Sequence, residues 1–184
     1  MNTQLEKATL GGGCFWCVET LYDAVEGVHS AVSGYSGGTA ETADYRSVCS
    51  GTTDHAEVVQ VTFDPSVITY EEILEMFWTA HDPTTLNRQG NDKGPQYRSV
   101  IFYHDETQKA IAETSIREVA SELYDDPVVT QVAPFEAFYE AEAYHQDYYN
   151  KTGTRNPYCT VVITPKVNKF RKKYADRLKK KETV

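Results

Sequence analysis

The chain has 184 residues, 18 basic and 27 acidic, and its formal charge of -9 argues against nucleic acid as the main partner. With 40% hydrophobic and 24% charged residues it is neither disordered nor fibrous, and its length suits one domain that can bury a core. No apolar run approaches the roughly 18 residues of a membrane span, and residues 1–9 lack the apolar stretch of a secretory leader, so a cytoplasmic protein without a membrane partner is expected.

In chain order, a strand is expected over 7–11, running into Gly11-Gly12-Gly13, and a helix from Cys14 through Val18, Leu21 and Tyr22. A second strand over 28–35 ends at Gly37-Gly38. A third carries Val58, Val59, Val61 and Phe63 and stops at Asp64-Pro65. Thr69 with Glu72 three residues on forms a capping box, and Ile73, Leu74, Phe77 and Trp78 supply the apolar face of the helix it opens. His81-Asp82-Pro83 closes that helix, and the polar, glycine-bearing stretch 87–96 reads as a loop. A strand over 100–103 follows. Asp105 with Gln108 then caps a helix running to about Leu123. Residues 128–132 read as a strand broken by Pro134, 141–149 as a helix, 153–157 as a loop and 160–163 as a short strand. The helix from Pro165 to about 181 is basic. A solvated helix accounts for that charge, with RNA or anionic lipid as the alternative. Interleaved strands and helices favour a mixed α/β domain with helices packed on a sheet.

The densest chemical signal is Gly-Gly-Gly-Cys-Phe-Trp-Cys at 11–17. The glycines permit a sharp turn from strand to helix, which places Cys14 at a helix N-terminus, where free N–H groups and the helix dipole favour a thiolate. Phe15 and Trp16 cannot both enter the core there, so at least one should flank the sulfur in a small apolar pocket. Competing readings are weaker. Phosphate cradles continue with Lys and Ser or Thr rather than Cys-Phe-Trp. Zinc needs four ligands, and neither a second Cys-x-x-Cys nor a His-x3-His is present. The four cysteines, Cys14, Cys17, Cys49 and Cys159, allow disulfides by count, but a chain this long needs no staples, so reactive or buried thiols are expected. Glu57 opens an apolar run. Read alone it is a solvated carboxylate. Buried beside a thiolate, it would instead hold its proton and act as a general acid. Tyr45 and Tyr97 can each donate an O–H to an oxygen, though with 13 tyrosines any one is a packing candidate, and Asp92 sits in a polar loop as a turn residue.

Gly13-Cys14-Phe15-Trp16 resembles the signature of the A-type peptide methionine sulfoxide reductases. Further blocks follow in the family's order: Gly34-Tyr35-Ser36-Gly37-Gly38, Tyr45-Arg46-Ser47-Val48-Cys49-Ser50-Gly51, His55-Ala56-Glu57-Val58, residues 89–99, and Ala143-Tyr144-His145-Gln146-Asp147-Tyr148. The resemblance spans roughly residues 7–165. It implies that Cys14 attacks the sulfoxide sulfur and ends as a sulfenic acid, and that Glu57 protonates the sulfoxide oxygen while Tyr45 and Tyr97 hydrogen-bond it. It further implies that Phe15 and Trp16 hold the S-methyl group and that Asp92 helps position the substrate backbone. The substrate implied is the S epimer of methionine sulfoxide, free or in proteins, since such enzymes divide by epimer. Thioredoxin is the implied final reductant, with neither cofactor nor metal, and a monomer is expected. Burying one methyl is worth only about 0.8 kcal/mol, so the oxygen contacts must separate sulfoxide from methionine.

The chain departs from the common pattern at its other thiols. Many members have Gly where Cys17 stands, and many carry two cysteines in a glycine-rich tail where this chain has one, in Asn156-Pro157-Tyr158-Cys159. Two resolving routes follow: Cys159 swinging in on the 153–157 loop, which the resemblance favours, or local attack by Cys17 one helical turn away. Cys49 is expected to be structural. A general thiol-disulfide exchanger using Cys14 and Cys17 is the alternative function. The fold expected is a single α/β (α+β) domain, a two-layer mixed sheet with packed helices and a ferredoxin-like core.

Overall fold

Strand β1 (Glu6–Gly11) buries Ala8 and Leu10 on one face. It turns through Gly12 and Gly13 into helix α1 (Phe15–Asp23). This is a computed structural model of the chain, and residues 4–180 are described. The first three residues of the stretch read for a leader, and Lys181 at the end of the expected terminal helix, lie outside them. Strand β2 (Val28–Ser36) and a short helix α2 (Tyr45–Cys49) lead to β3 (Ala56–Phe63) and helix α3 (Tyr70–Ala80).

The expected capping box opens α3. The Thr69 hydroxyl accepts from the Glu72 amide at 3.2 Å, and the Glu72 carboxylate accepts from the Thr69 amide at 2.8 Å. Thr69→Ala is therefore expected to cost about 1 kcal/mol, read as a lower denaturant midpoint at unchanged slope. An unchanged midpoint would mean that packing alone sets where this helix starts.

Residues 87–96 are more ordered than a loop. They fold into a small hairpin of β4 (Arg88–Gln89) and β5 (Asp92–Lys93), anchored by the Gln89 side-chain amide on both backbone groups of Asp82. Strand β6 (Val100–Tyr103) precedes α4 (Glu106–Ser115), which continues as a wider turn over 116–120 into α5 (Ser121–Leu123), as expected from the Asp105 cap.

Three expected elements are corrected. The strand near 128–132 is instead β7 (Gln131–Pro134), and Pro134 lies inside it. Parallel pairing to β6 uses the amides of Gln131 and Phe135, so Pro134, on this edge strand, stands where no inward N–H is needed. Residues 141–149 are not a helix. After β8 (Tyr139–Glu140) the chain forms a 3-10 turn at Ala143–His145, and Asp147 is left-handed (φ 55°) before α6 (Tyr148–Thr152). Tertiary bonds override helical propensity here. The Gln146 amide bonds both backbone groups of Ser33 (3.0 and 2.8 Å), and Glu19 takes the Asp147 amide at 2.8 Å. Third, residues 160–163 are helical. Asn156 caps the Tyr158 amide, Pro157 follows the cap, and a wide turn at Cys159–Ile163 runs into α7 (Thr164–Lys173). Cys159, Ile163, Val167 and Phe170 form its buried stripe, and the widened turn precedes Pro165, which has no amide to donate. The terminal helix ends at Lys173, short of the expected 181, with a 3-10 turn at Ala175–Arg177 after it.

The six-stranded sheet has the order β7-β6-β1-β3-β2-β8. It is mixed, with β6–β7 parallel and the other pairs antiparallel. Its central β6-β1-β3-β2 strands, joined through α1 and α3, form the ferredoxin-like βαββαβ core. One face, with Leu10, Val59, Val61 and Ile101, packs against Leu21, Tyr22, Phe77 and Trp78. Each such fully buried side chain contributes about 1.5–3 kcal/mol relative to exposure. The other face is a smaller cluster of Val58, Val100 and Phe102 under Phe135 and Phe138. Among the described residues no helix is long and apolar enough to cross a membrane, and no three His, Cys, Asp or Glu side chains gather to hold a metal.

Candidate active site

The turn from β1 into α1 sets the site. Gly13 has φ +89°, and a Cβ there would lie 2.6 Å from Gln89 Cγ, so only glycine lets the chain turn beside the β4–β5 hairpin. Cys14 is then the extended residue that caps α1 (φ -59°, ψ 123°). Its side chain is half-buried, and it faces a cavity of about 310 Å³ lined by Phe15, Trp16, Tyr45, Glu57, Asp92, Tyr97, Asn156 and Tyr158. A larger hollow of about 580 Å³ around Arg98 and Phe102 contains no thiol.

Glu57 reaches the site from β3 and is 2% exposed. The reading of it as a solvated carboxylate is thus corrected. Its place in the sheet, opposite Tyr35, turns it under the start of α1, where Oε1 accepts the Phe15 amide at 3.2 Å. Burial outweighs that bond and, with Asp92 nearby, pushes the Glu57 carboxyl up to about 8. It is mostly neutral at pH 7, with Oε2 left for the proton.

The thiolate expected at Cys14 is also corrected for the resting protein. Burial first, then Glu57, push the thiol well above its ordinary range, and the Trp16 amide at the helix start does not compensate. A helix terminus favours an anion by roughly 0.3–1 kcal/mol when exposed, which is small beside the cost of desolvating one. Two neutral acids therefore face the cavity together.

The phenols come from separate elements. Tyr45 opens α2, whose Asp44 cap accepts the Ser47 amide at 2.9 Å, and its hydroxyl engages Cys49. Tyr97 sits on the 3-10 turn Pro95–Tyr97, which Arg98 ties down through the carbonyls of Pro95 and Asp54, each at 2.9 Å. Burial raises both phenols, so both keep their protons. Phe15 is buried, and half-buried Trp16 stacks on Tyr148 at 3.9 Å between centroids.

Of the expected site residues, Cys14, Phe15, Trp16, Tyr45, Glu57, Asp92 and Tyr97 line one cavity, and Cys17 and Cys159 do not. Cys17 is buried one turn along α1, with its amide on the Cys14 carbonyl at 3.2 Å. Burial pushes its thiol up to about 11, while Lys166 acts in the opposite sense. Cys159 is fully buried on the helix leading into α7, and all four cysteines are unpaired. Cys49, expected to be structural, is exposed. Sequence reasoning missed Asn156 and Tyr158. The Tyr158 hydroxyl donates to Asp92 Oδ2 and lies beside the Cys14 sulfur. The only hint was its place next to Cys159.

The profile of the family described as peptide methionine sulfoxide reductase matches residues 6–178. The chain is 59% identical over 175 residues to the peptide methionine sulfoxide reductase MsrA of Saccharolobus solfataricus, covering 95% of this chain and 98% of that one. It resembles the crystal structure of Mxr1 from Saccharomyces cerevisiae in reduced form, with TM-score 0.75 and 36% identity over 85% of this chain and 90% of that one. A further structure of Mxr1 in complex with Trx2 matches with TM-score 0.53 and 28% identity, covering 80% and 87%.

Proposed function

This chain belongs to the peptide methionine sulfoxide reductase family, and from that premise we propose how its cavity carries out the reaction. The enzyme reduces the S epimer of methionine sulfoxide, free or in proteins, to methionine. The observation that carries the site assignment is that one cavity joins Cys14, a neutral Glu57, two phenols and two aromatic walls. The substrate's methyl lies between Phe15 and Trp16, and its oxygen faces Glu57, Tyr45 and Tyr97. Asp92, held by Tyr158 at the rim, orients the backbone.

A bond forms between the Cys14 sulfur and the sulfoxide sulfur as Glu57 gives its proton to the oxygen, and the thiol proton returns to the Glu57 carboxylate. Fixed donors at the oxygen stabilise charge as it builds there. The hydroxyl then passes to the Cys14 sulfur, the new sulfur–sulfur bond breaks, and methionine leaves. The Cys14 sulfenic acid is one step up the oxidation ladder. A second thiol attacks it, forming a disulfide and releasing water, and thioredoxin reduces that disulfide. The Trx2 complex of the yeast relative supports this recycling partner.

Of the two resolving routes we favour Cys17. It shares helix α1 with Cys14 at a three-residue spacing, which puts the two backbones within disulfide range once the first turn adjusts. Cys159 would require the buried start of its helix to unwind. We also place the enzyme in the cytoplasm, where free thiols persist, acting as a monomer and as one catalytic domain, because a single chain supplies the whole cavity.

The decisive assay supplies dithiothreitol and the separated epimers. Methionine should appear from the S epimer only, and Cys14→Ser should abolish it. Equal turnover of both epimers, or activity retained in that variant, contradicts the proposal, and insulin reduction without sulfoxide reduction would favour the general dithiol exchanger.

A further inference from the structure

The β4–β5 hairpin brings Asp92 to the cavity, yet its strands are two residues long and pair with each other alone. A hairpin of that size does not hold its shape or place by itself in water, so tertiary bonds must fix it. Gln89 supplies them. It is 8% exposed and does not line the cavity. Its carboxamide closes a ring with one residue: Oε1 accepts the Asp82 amide at 3.0 Å, and Nε2 donates to the Asp82 carbonyl at 2.9 Å. Asp82 is fixed in turn. Its carboxylate accepts the Thr84 amide at 2.9 Å, and His81 before it is held at 2.7 Å by both the Phe77 carbonyl and the Ser99 hydroxyl.

The stem of Gln89 meets the turn that presents the nucleophile. A Cβ on Gly13 would lie 2.6 Å from Gln89 Cγ and 2.8 Å from Gln89 Cβ. A Cβ on Gly12 would lie 2.9 Å from His81 Cγ. The two glycines before Cys14 are therefore seated on His81 and Gln89, which Asp82 ties together. Across the hairpin ladder Gln89 is the register partner of Asp92. Asp92 accepts the Tyr158 hydroxyl, which lies beside the Cys14 sulfur. One side chain thus links the end of α3, the turn that carries Cys14 and the strand that carries Asp92.

We propose that Gln89 is a positioning residue, whose carboxamide, locked on the Asp82 backbone, sets the spacing between the Cys14 turn and Asp92 and so seats the substrate's backbone over the nucleophile. The inference rests on the reading of Asp92 as the group that orients that backbone. Gly12 keeps its seat on His81 when the carboxamide is lost, so the hairpin shifts more than Cys14 does. The effect therefore falls on sulfoxides that carry a peptide backbone and spares those that have none.

The test sets the S epimer of N-acetyl-methionine sulfoxide N-methylamide against dimethyl sulfoxide, which offers a methyl and the sulfoxide oxygen but no backbone. Gln89→Met keeps the stem against Gly13 and loses both bonds to Asp82. It should raise KM for the methionine derivative about tenfold, with single-turnover reduction at saturation changed less than about threefold. Its kcat/KM for dimethyl sulfoxide should change less than about threefold. In an Asp92→Ala background, Gln89→Met should add less than about twofold, as expected of two residues that act through one contact. Gln89→Glu sets a carboxylate oxygen against the Asp82 carbonyl and should show the same selective loss. It carries the test alone if the Met variant does not fold. An equal loss on both sulfoxides overturns the inference, because a merely structural residue acts on both. So does a wild-type KM in Gln89→Met, a full effect of that change in the Asp92→Ala background, or a wild-type KM in Asp92→Ala itself. Wild-type protein that reduces neither sulfoxide would instead refute the functional reading.

Discussion

Glu57→Gln is expected to slow single-turnover methionine formation by about 10²–10⁴-fold, the range for losing a positioned general acid. Gln keeps an oxygen for the Phe15 amide, so the start of α1 should survive. The wild-type sulfoxide step should fall as pH rises through about 8, because Glu57 must carry its proton and burial sets its titration there. The glutamine variant should lose that limb. A limb that persists in Glu57→Gln would assign the titration to another group.

The same residue couples activity to stability. The folded-state carboxyl titrates near 8 against about 4.5 in the open chain, so below about pH 4 it is protonated in both states and costs nothing. As pH rises from there to 8 the unfolded chain gains a solvated carboxylate that the folded chain lacks, and the fold loses stability. Counted from about pH 4, the accumulated loss reaches roughly 3–5 kcal/mol by pH 7 to 9, most of it accrued below pH 7. Glu57→Gln should therefore be more stable than the wild type at pH 8 by a few kcal/mol and equal to it near pH 4. Denaturant midpoints at the two pH values check this, and equal stability at both would mean the carboxyl is not desolvated.

The second large effect belongs to the resolving thiol. Cys17→Ser should lower thioredoxin-driven turnover at least a hundredfold while leaving one equivalent of methionine per enzyme. In the wild type, mass spectrometry after one turnover without reductant should find Cys14 joined to Cys17. Cys159→Ser should recycle normally. If Cys159→Ser fails and Cys17→Ser does not, the assignment reverses. The high titration of Cys17, near 11, implies that resolution accelerates with pH over the range where the sulfoxide step slows, so the two steps should separate in pH profiles.

Much of the fold was legible because its signals are local. The Thr69–Glu72 box, the Asp105 cap, the glycines before Cys14 and the stop at Asp64-Pro65 act within a few residues of chain. The misread segments are those where distant groups take over. Residues 141–149 have helical propensity, but Gln146 and Asp147 are claimed by Ser33 and Glu19, more than a hundred residues away in sequence. Thr160 to Ile163 looks like a strand because it is β-branched, yet its buried positions at 159, 163, 167 and 170 follow a helix that Asn156 caps. Pro134 reads as a breaker unless it is known that β7 is an edge.

The amino-acid sequence by itself determined which groups are present: a capping cysteine between glycines and aromatics, a carboxyl at the head of a buried strand, and phenols in polar turns. Only the tertiary structure decided their protonation. Desolvation is the sum of atoms brought in from many parts of the chain, and it holds Glu57 and Cys14 neutral against the pull of a helix terminus that local reasoning had put first.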